Sequence, residues 1–295
     1  MAITGSGTEQ DPYVVHNYTE LKEACDRANY VELGNDIDCN EYGENFEWER
    51  IGCSADYATF HLDLKGHTIK NFKVKENDYV FKLSGEESTV KNGKILNAYL
   101  SRSLGFCYRA SNRGCLENLS ISINIGSGLA SGNNRYVFNE YCLINNCAIY
   151  VEGTIPSGCT NSAIFKAINE NEPYQNTDIL LNIENSNGKL AHATNSYEKV
   201  FSKCRIRGKF NTINTTGITY VQSLSDGGFD NCVIDLETNF GGALSQYNQN
   251  CTGVINTDKL SYYTSTSGMT AVTSQEIISG AALRAKGFDV INVTP

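Results

Sequence analysis

Tyr79-Val80-Phe81-Lys82, Lys94-Ile95-Leu96, Leu104-Gly105-Phe106-Cys107 and Leu119-Ser120-Ile121-Ser122-Ile123 follow one another along the chain. A short arm centred on phenylalanine alternates here with a longer arm of apolar and polar residues. Outward from this stretch the phenylalanine arm returns at Phe138, Phe165 and Phe201, and the alternating arm at residues 147–151, 179–183, 204–206 and 232–236. Successive phenylalanines lie 25 to 36 residues apart. A unit of that length with two or three short strands cannot bury its apolar side chains alone, but it can when stacked on neighbours of the same kind. The reading is an all-β, right-handed, single-stranded parallel β-helix. About seven coils at the ordinary interstrand distance would make a solenoid roughly 35 Å long. Uneven spacing fits, because insertions enter the turns and leave the strand stack intact.

Turn chemistry agrees. Asparagine sits beside the strands at Asn92-Gly93, Asn118, Asn133-Asn134, Asn145-Asn146-Cys147 and Asn231-Cys232. After glycine, it is the residue that best tolerates left-handed backbone. Asparagine repeated before cysteine implies two internal ladders, one of stacked amides and one of stacked thiols. An asparagine-lined sugar site is the competing reading. Only four prolines interrupt the chain, so few strands lose a ladder donor.

Both ends read as caps. Thr19 offers an N-cap to a segment with Leu21, Ala24, Cys25 and Ala28 at helical spacing. Thr273-Ser274-Gln275-Glu276 fits a capping box before Ile277, Ile278 and Leu283; Gly287 then stops that helix and Phe288-Asp289-Val290-Ile291 resumes extended structure. Closed ends would hide strand edges that invite polymerisation. The expected organisation is one β-helix domain over residues 1–295: an N-terminal cap and first strands over 1–40, coils over 41–268 and a C-terminal cap over 269–295.

The formal net charge is −9 and lysines and arginines never gather into a run. That argues against nucleic acid as a direct partner. Residues 1–7 lack a basic segment and an apolar run, and no later stretch reaches a membrane span. Synthesis in a bacterial cytoplasm without a signal peptide or membrane insertion is therefore expected. Eleven cysteines are spread over the chain with no C-x-x-C pair. They read as reduced thiols packing as small hydrophobes, with no metal site and no cofactor.

Two segments carry a resemblance. Gly5-Ser6-Gly7-Thr8 with Asp11-Pro12-Tyr13 is followed by Leu33-Gly34-Asn35-Asp36-Ile37-Asp38, by Trp48-Glu49-Arg50-Ile51-Gly52 and by the run from Leu62 through Gly66-His67-Thr68-Ile69 to Phe72. Together they resemble the opening coils of right-handed parallel β-helix proteins of phage virions and of related bacterial surface β-helix repeats. The resemblance covers residues 5–72, with a weaker echo at 273–290, and it specifies fold far better than function. It implies a virion component such as a fibre, a spike or a head or tail decoration element. Many such proteins are homotrimers docked on other virion proteins.

Tailspikes and lyases share the fold, so catalysis has to be argued from a site. Glycoside hydrolysis needs two carboxylates facing one groove. The densest local set is Asp226, Asp230, Asp235 and Glu237, of which Asp235 and Glu237 would face the same side of a strand. Asp178 and Glu184 flank another strand. A solvated strand face explains all six, and no catalytic residue is assigned. His67 belongs to the fold-defining Gly66-His67-Thr68, while His16, His61 and His192 have no partner at triad or ligand spacing. Seventeen tyrosines exceed what a β-helix core takes, and tyrosine suits sugar rings and subunit interfaces alike. Tyr262 and Tyr263 are the candidate contacts with glycan or a neighbouring subunit.

The expectation is thus a virion structural protein located in the particle, with host-surface polysaccharide as a candidate partner. A polysaccharide-degrading β-helix enzyme, of lyase or glycoside hydrolase type, and a bacterial surface adhesin fragment are the alternatives.

Overall fold

The computed structural model describes residues 3–25, 27, 29–52, 59–83, 87–101, 105–108, 114–126, 136–138, 142–155, 163–167, 173–186, 189–193, 200–212, 219–221, 228–239, 251–263, 266 and 268–287. The chain folds as a parallel β-solenoid of about five turns with few, short helices. The expected number of about seven coils is thus an overcount. Near the C-terminus, Gly253–Asn256 and Met269–Val272 pair with each other but are followed by helical turns.

Two compact units divide the chain, residues 1–130 with 137–147, and residues 131–136 with 148–295. In the first, strands stack in parallel so that Val31, Leu62, Val90, Leu116 and Ile144 are successive register partners. All five are buried. A second inward column joins Ile37, Ile69, Ile95 and Ile121. The second unit repeats the device with Ile149, Ile179, Ile206, Ile234 and Ile255 in register, again buried. Each such side chain contributes roughly 1.5–3 kcal/mol by burial, which is why β-branched residues at alternate positions select this stack.

Phenylalanine lines a second set of strands. In the first unit Tyr79–Lys82 pairs with Gly105–Tyr108, and Cys107 of that strand with Phe138, bringing Phe81 to 5.7 Å from Phe106, and Phe106 to 5.4 Å from Phe138. In the second unit Ala163–Ala167 pairs with Lys189–Ala193, and that strand with Thr219–Val221. Here the sequence reading is corrected. Phe201 belongs to the other sheet, where it pairs with Tyr174 and Phe229, and the register partner of Phe165 is Ala191. The long step from Phe165 to Phe201 reflects an intervening strand that carries alanine in place of phenylalanine.

Corners fall at asparagine. Asn92, Asn118 and Asn146 take φ values of 60°, 55° and 51°, and Asn176 and Asn231 follow suit in the second unit, with Lys203 at the same kind of corner. In the first unit the amides form the expected ladder: Asn92 Nδ2 donates to Asp63 at 3.0 Å, Asn118 to Asn92 at 3.1 Å and Asn146 to Asn118 at 2.6 Å. A second ladder joins Asn97, Asn71 and Asp38. The amides are not internal as expected, since Asn118 and Asn146 are exposed. The thiols are: Cys147, Cys204 and Cys232 each follow a corner residue, point inward and donate to main-chain oxygens. Burial pushes the Cys204 thiol up to about 12 and raises that of Cys232 as well. None of the nine described cysteines is in a disulfide.

The caps are helical. The first helix, α1 (Tyr18–Cys25), is capped by Asn17, whose Oδ1 accepts from Glu20 N at 2.9 Å, so Asn17 replaces the expected Thr19. At the other end Thr273 and Glu276 form the expected capping box of α2 (Ser274–Ile278). Gly280, at φ 74°, separates it from α3 (Ala281–Ala285), so two short helices stand where one was expected. Ile277, Ala282 and Leu283 pack on Val233 and Val254. Residues 288–291, expected to be extended, lie outside the described residues.

Candidate functional site

Four strands of the second unit, Ala148–Gly153, Asp178–Ser186, Arg205–Thr212 and Cys232–Thr238, pair in parallel. Their inward residues fill the core, so the period of two turns the alternate residues outward. One outward row runs Tyr150, Leu180, Arg207, Asp235 and the next runs Glu152, Asn182, Lys209, Glu237. Between and beside these rows lies a groove of about 460 Å³, to which Lys259 of the 3-10 turn Thr257–Tyr262 also contributes.

The polar groups are held by named partners. Arg205 and Arg207 both reach the Asp178 carboxylate, Arg207 Nε at 3.2 Å. Lys209 Nζ meets Glu184 at 2.6 Å, and Asn211 donates to the same carboxylate at 2.8 Å. These contacts hold Glu184 below the usual carboxylate range. Asp235 accepts from Asn256 Nδ2 at 2.7 Å, and Glu237 lies 3.5 Å from Lys259. The Tyr150 hydroxyl donates to Glu152 at 2.7 Å, and this carboxylate raises the tyrosine's pKa, helped by burial.

Asp235 and Glu237 therefore do share one face, as their spacing predicts, and both line the groove. Asp230 stands apart, accepting from Ser202 and Thr252. Asp226 lies outside the described residues. The tyrosine pair separates, one side chain buried and the other partly accessible. Tyr262 ends the 3-10 turn Thr257–Tyr262, while Tyr263 follows it with extended backbone and is 8% exposed, its hydroxyl donating to Leu236 O at 2.7 Å. Tyr263 is thus a packing residue. Tyr262 remains partly accessible, with Lys259 Nζ 5.8 Å from its ring centroid.

Tyr150, Asn182, Lys209 and Lys259 were not singled out by sequence reasoning. Tyr150, Asn182 and Lys209 were visible as outward positions of alternating strands, but which outward residues become neighbours depends on register between strands 25 to 30 residues apart, and Lys259 joins them from a 3-10 turn.

The first unit carries a second groove, of about 500 Å³, lined by Tyr30, His61, Glu32, Asp63 and Lys91 among others. His61 stacks on Tyr30 with centroids 4.5 Å apart, and its Nδ1 lies 3.0 Å from Thr89 Oγ1. Burial, then the charge of Lys91, pulls its pKa below the ordinary histidine value. His67 sits beside Asp36 and His16 beside Glu20, each at 3.4 Å. The side chain of His192 lies outside the described residues. Among the described residues no group of three or more His, Cys, Asp or Glu side chains is placed to hold a metal ion, and no helix is long and apolar enough to cross a membrane.

Comparison with protein-family models, with curated proteins and with solved structures finds no match to this chain.

Proposed function

We propose that this protein is a structural and adhesive component of a phage particle, a fibre, spike or decoration element, whose groove in residues 148–295 contacts host-surface glycan. The observation that carries the adhesive part is the groove itself. An aromatic ring and an apolar side chain, Tyr150 and Leu180, stand among amide and charged groups on a sheet that its own core holds rigid. Sugar sites are built of such parts, an apolar face for the ring and a few fixed polar groups for its hydroxyls. The virion setting rests on the resemblance of residues 5–72. Homotrimeric assembly, docked on other virion proteins through a terminal region, accompanies it, each interface closing head-to-tail as a ring.

A second reading has one observation in its favour: Asp235 and Glu237 line the same groove. Glycoside hydrolysis asks for one carboxyl group to give a proton and another to attack or to activate water. The Asn256 amide on Asp235 and the ammonium of Lys259 near Glu237 engage both groups, which favours binding over cleavage.

Light scattering of the purified chain, with mass spectrometry and imaging of intact particles, tests the proposal. A trimer present in particles that leaves polysaccharide intact is the expected result. A monomer absent from particles that cleaves polysaccharide would put the enzyme in its place.

A further inference from the structure

Arg207 and Asp235 are register partners on adjacent parallel strands, and so are Lys209 and Glu237. Opposite charges placed side by side in a sheet ordinarily pair with each other. Here they do not. Arg207 and Lys209 turn back to Asp178 and Glu184 on the strand before them, while Asp235 and Glu237 turn forward to Asn256 and Lys259. The seam between the Arg205–Thr212 and Cys232–Thr238 strands is therefore flanked by a cationic row on one side and an acidic row on the other. Gly208, at φ 97°, also lines the groove, and its lack of a side chain lets the main chain pass close to Leu181 O on the strand before it.

We infer that this seam takes a neutral sugar bearing vicinal hydroxyls, a specificity that rests on the glycan-contact reading above. A hydroxyl accepts from an ammonium or guanidinium and donates to a carboxylate at the same time, and two adjacent hydroxyls do so twice. Such a ligand spans the seam without breaking the ion pairs on either side. A uronate would bring its carboxylate against Asp235 and Glu237, and an amino sugar its ammonium against Arg207 and Lys209. Each charged sugar meets like charge on one side of a seam one strand spacing, ~4.8 Å, across. Tyr150, its ring fixed by the bond to Glu152, and Leu180 offer an apolar surface to the carbon face of the sugar.

Calorimetric titration of the full chain tests this with neutral gluco-, galacto- and manno-oligosaccharides, with oligogalacturonates and with chitosan oligomers, each at low and high salt. At least one neutral series is expected to bind best, with an affinity that changes less than about twofold with salt. Glu237→Gln, which keeps the shape of the side chain, is expected to weaken it about tenfold, the loss for one hydrogen bond to a charged group. Tyr150→Leu supplies a second variant, and thermal melting verifies that each is folded. Tighter binding of oligogalacturonate or chitosan oligomers would overturn the specificity while leaving glycan contact standing. Undiminished binding by both variants would remove the seam as the site. If no sugar binds, the specificity and the glycan contact both fall, and the particle measurements alone decide the virion assignment.

Discussion

Asn118 donates from Nδ2 to Oδ1 of Asn92, 3.1 Å away and 26 residues earlier in the chain. Its own Oδ1 accepts from Asn146 at 2.6 Å. Asn118 holds left-handed backbone, φ 55°, so the one residue serves both as a corner and as a ladder rung. Asn118→Ala removes two amide bonds, worth about 0.5–1.5 kcal/mol each at most in this exposed position. It also forces a Cβ-bearing residue without a local polar partner into left-handed backbone, at about 1–2 kcal/mol. Asn118→Gly loses the bonds but relaxes the corner. Urea denaturation should therefore rank wild type above Asn118→Gly, and Asn118→Gly above Asn118→Ala. Equal stability of the two variants would show that backbone strain is not what selects asparagine here.

Phe138 and Phe165 are fully buried, Phe138 beside Phe106 in the first unit and Phe165 5.3 Å from Phe201 in the second. Truncating either to alanine leaves a cavity in a stack that can relax little, because its neighbours are pinned by strand pairing. A loss of about 3–5 kcal/mol in unfolding free energy is expected for each. A loss below about 1 kcal/mol would place the side chain outside the core.

The alternation through 119–123 and the asparagine corners made the solenoid legible, because both follow from local backbone preference. The misassigned Phe201 shows where local reading stops. Its arm looks like those of Phe138 and Phe165, yet it pairs with Tyr174 and Phe229 because an alanine-bearing strand, Lys189–Ala193, intervenes. The groove was half legible. Asp235 and Glu237 share a face by their spacing alone, but Tyr150 and Lys209 join them only through pairing between distant strands. Tyr262 and Tyr263 stood as equal candidates in the sequence, and that Tyr263 is the buried one, beside the 3-10 turn that Asn256 starts by accepting from Asp258 N, follows only from tertiary packing.

Cys147, Cys204 and Cys232 donate to main-chain oxygens inside the stack, and burial raises their pKa, so little thiolate forms near neutral pH. Alkylation of the native chain at pH 8, mapped by mass spectrometry, should leave these three unmodified, while denaturation without reductant should expose all of them. Rapid labelling of any of the three in the folded chain would contradict the inward placement.

Acid should destabilise the protein in two stages, and the signs agree. His61 has its pKa lowered by burial, so below the ordinary value of 6.5 the unfolded chain binds a proton that the folded chain resists. The stability attached to neutral His61 is present above that value and is lost as pH falls through the folded pKa. Asp38 is held low first by the Asn71 amide and then by the Asn40 N–H. Its contribution is present above the ordinary carboxylate value of 3.8 and is lost as pH falls through the lower folded pKa. Unfolding free energy measured by urea titration from pH 8 to pH 3 should therefore decline first below about 6.5 and again below about 4, the unperturbed histidine and carboxylate values. His61→Gln, which keeps a polar group near Thr89, should flatten the first decline and spare the second. Asp38→Asn should lessen the second decline and spare the first, since its neutral amide has no proton to gain; Glu20, Glu49, Glu184 and Glu276, likewise held low, supply the rest of that decline. A first decline that survives in His61→Gln would assign it to another group and remove His61 from the account.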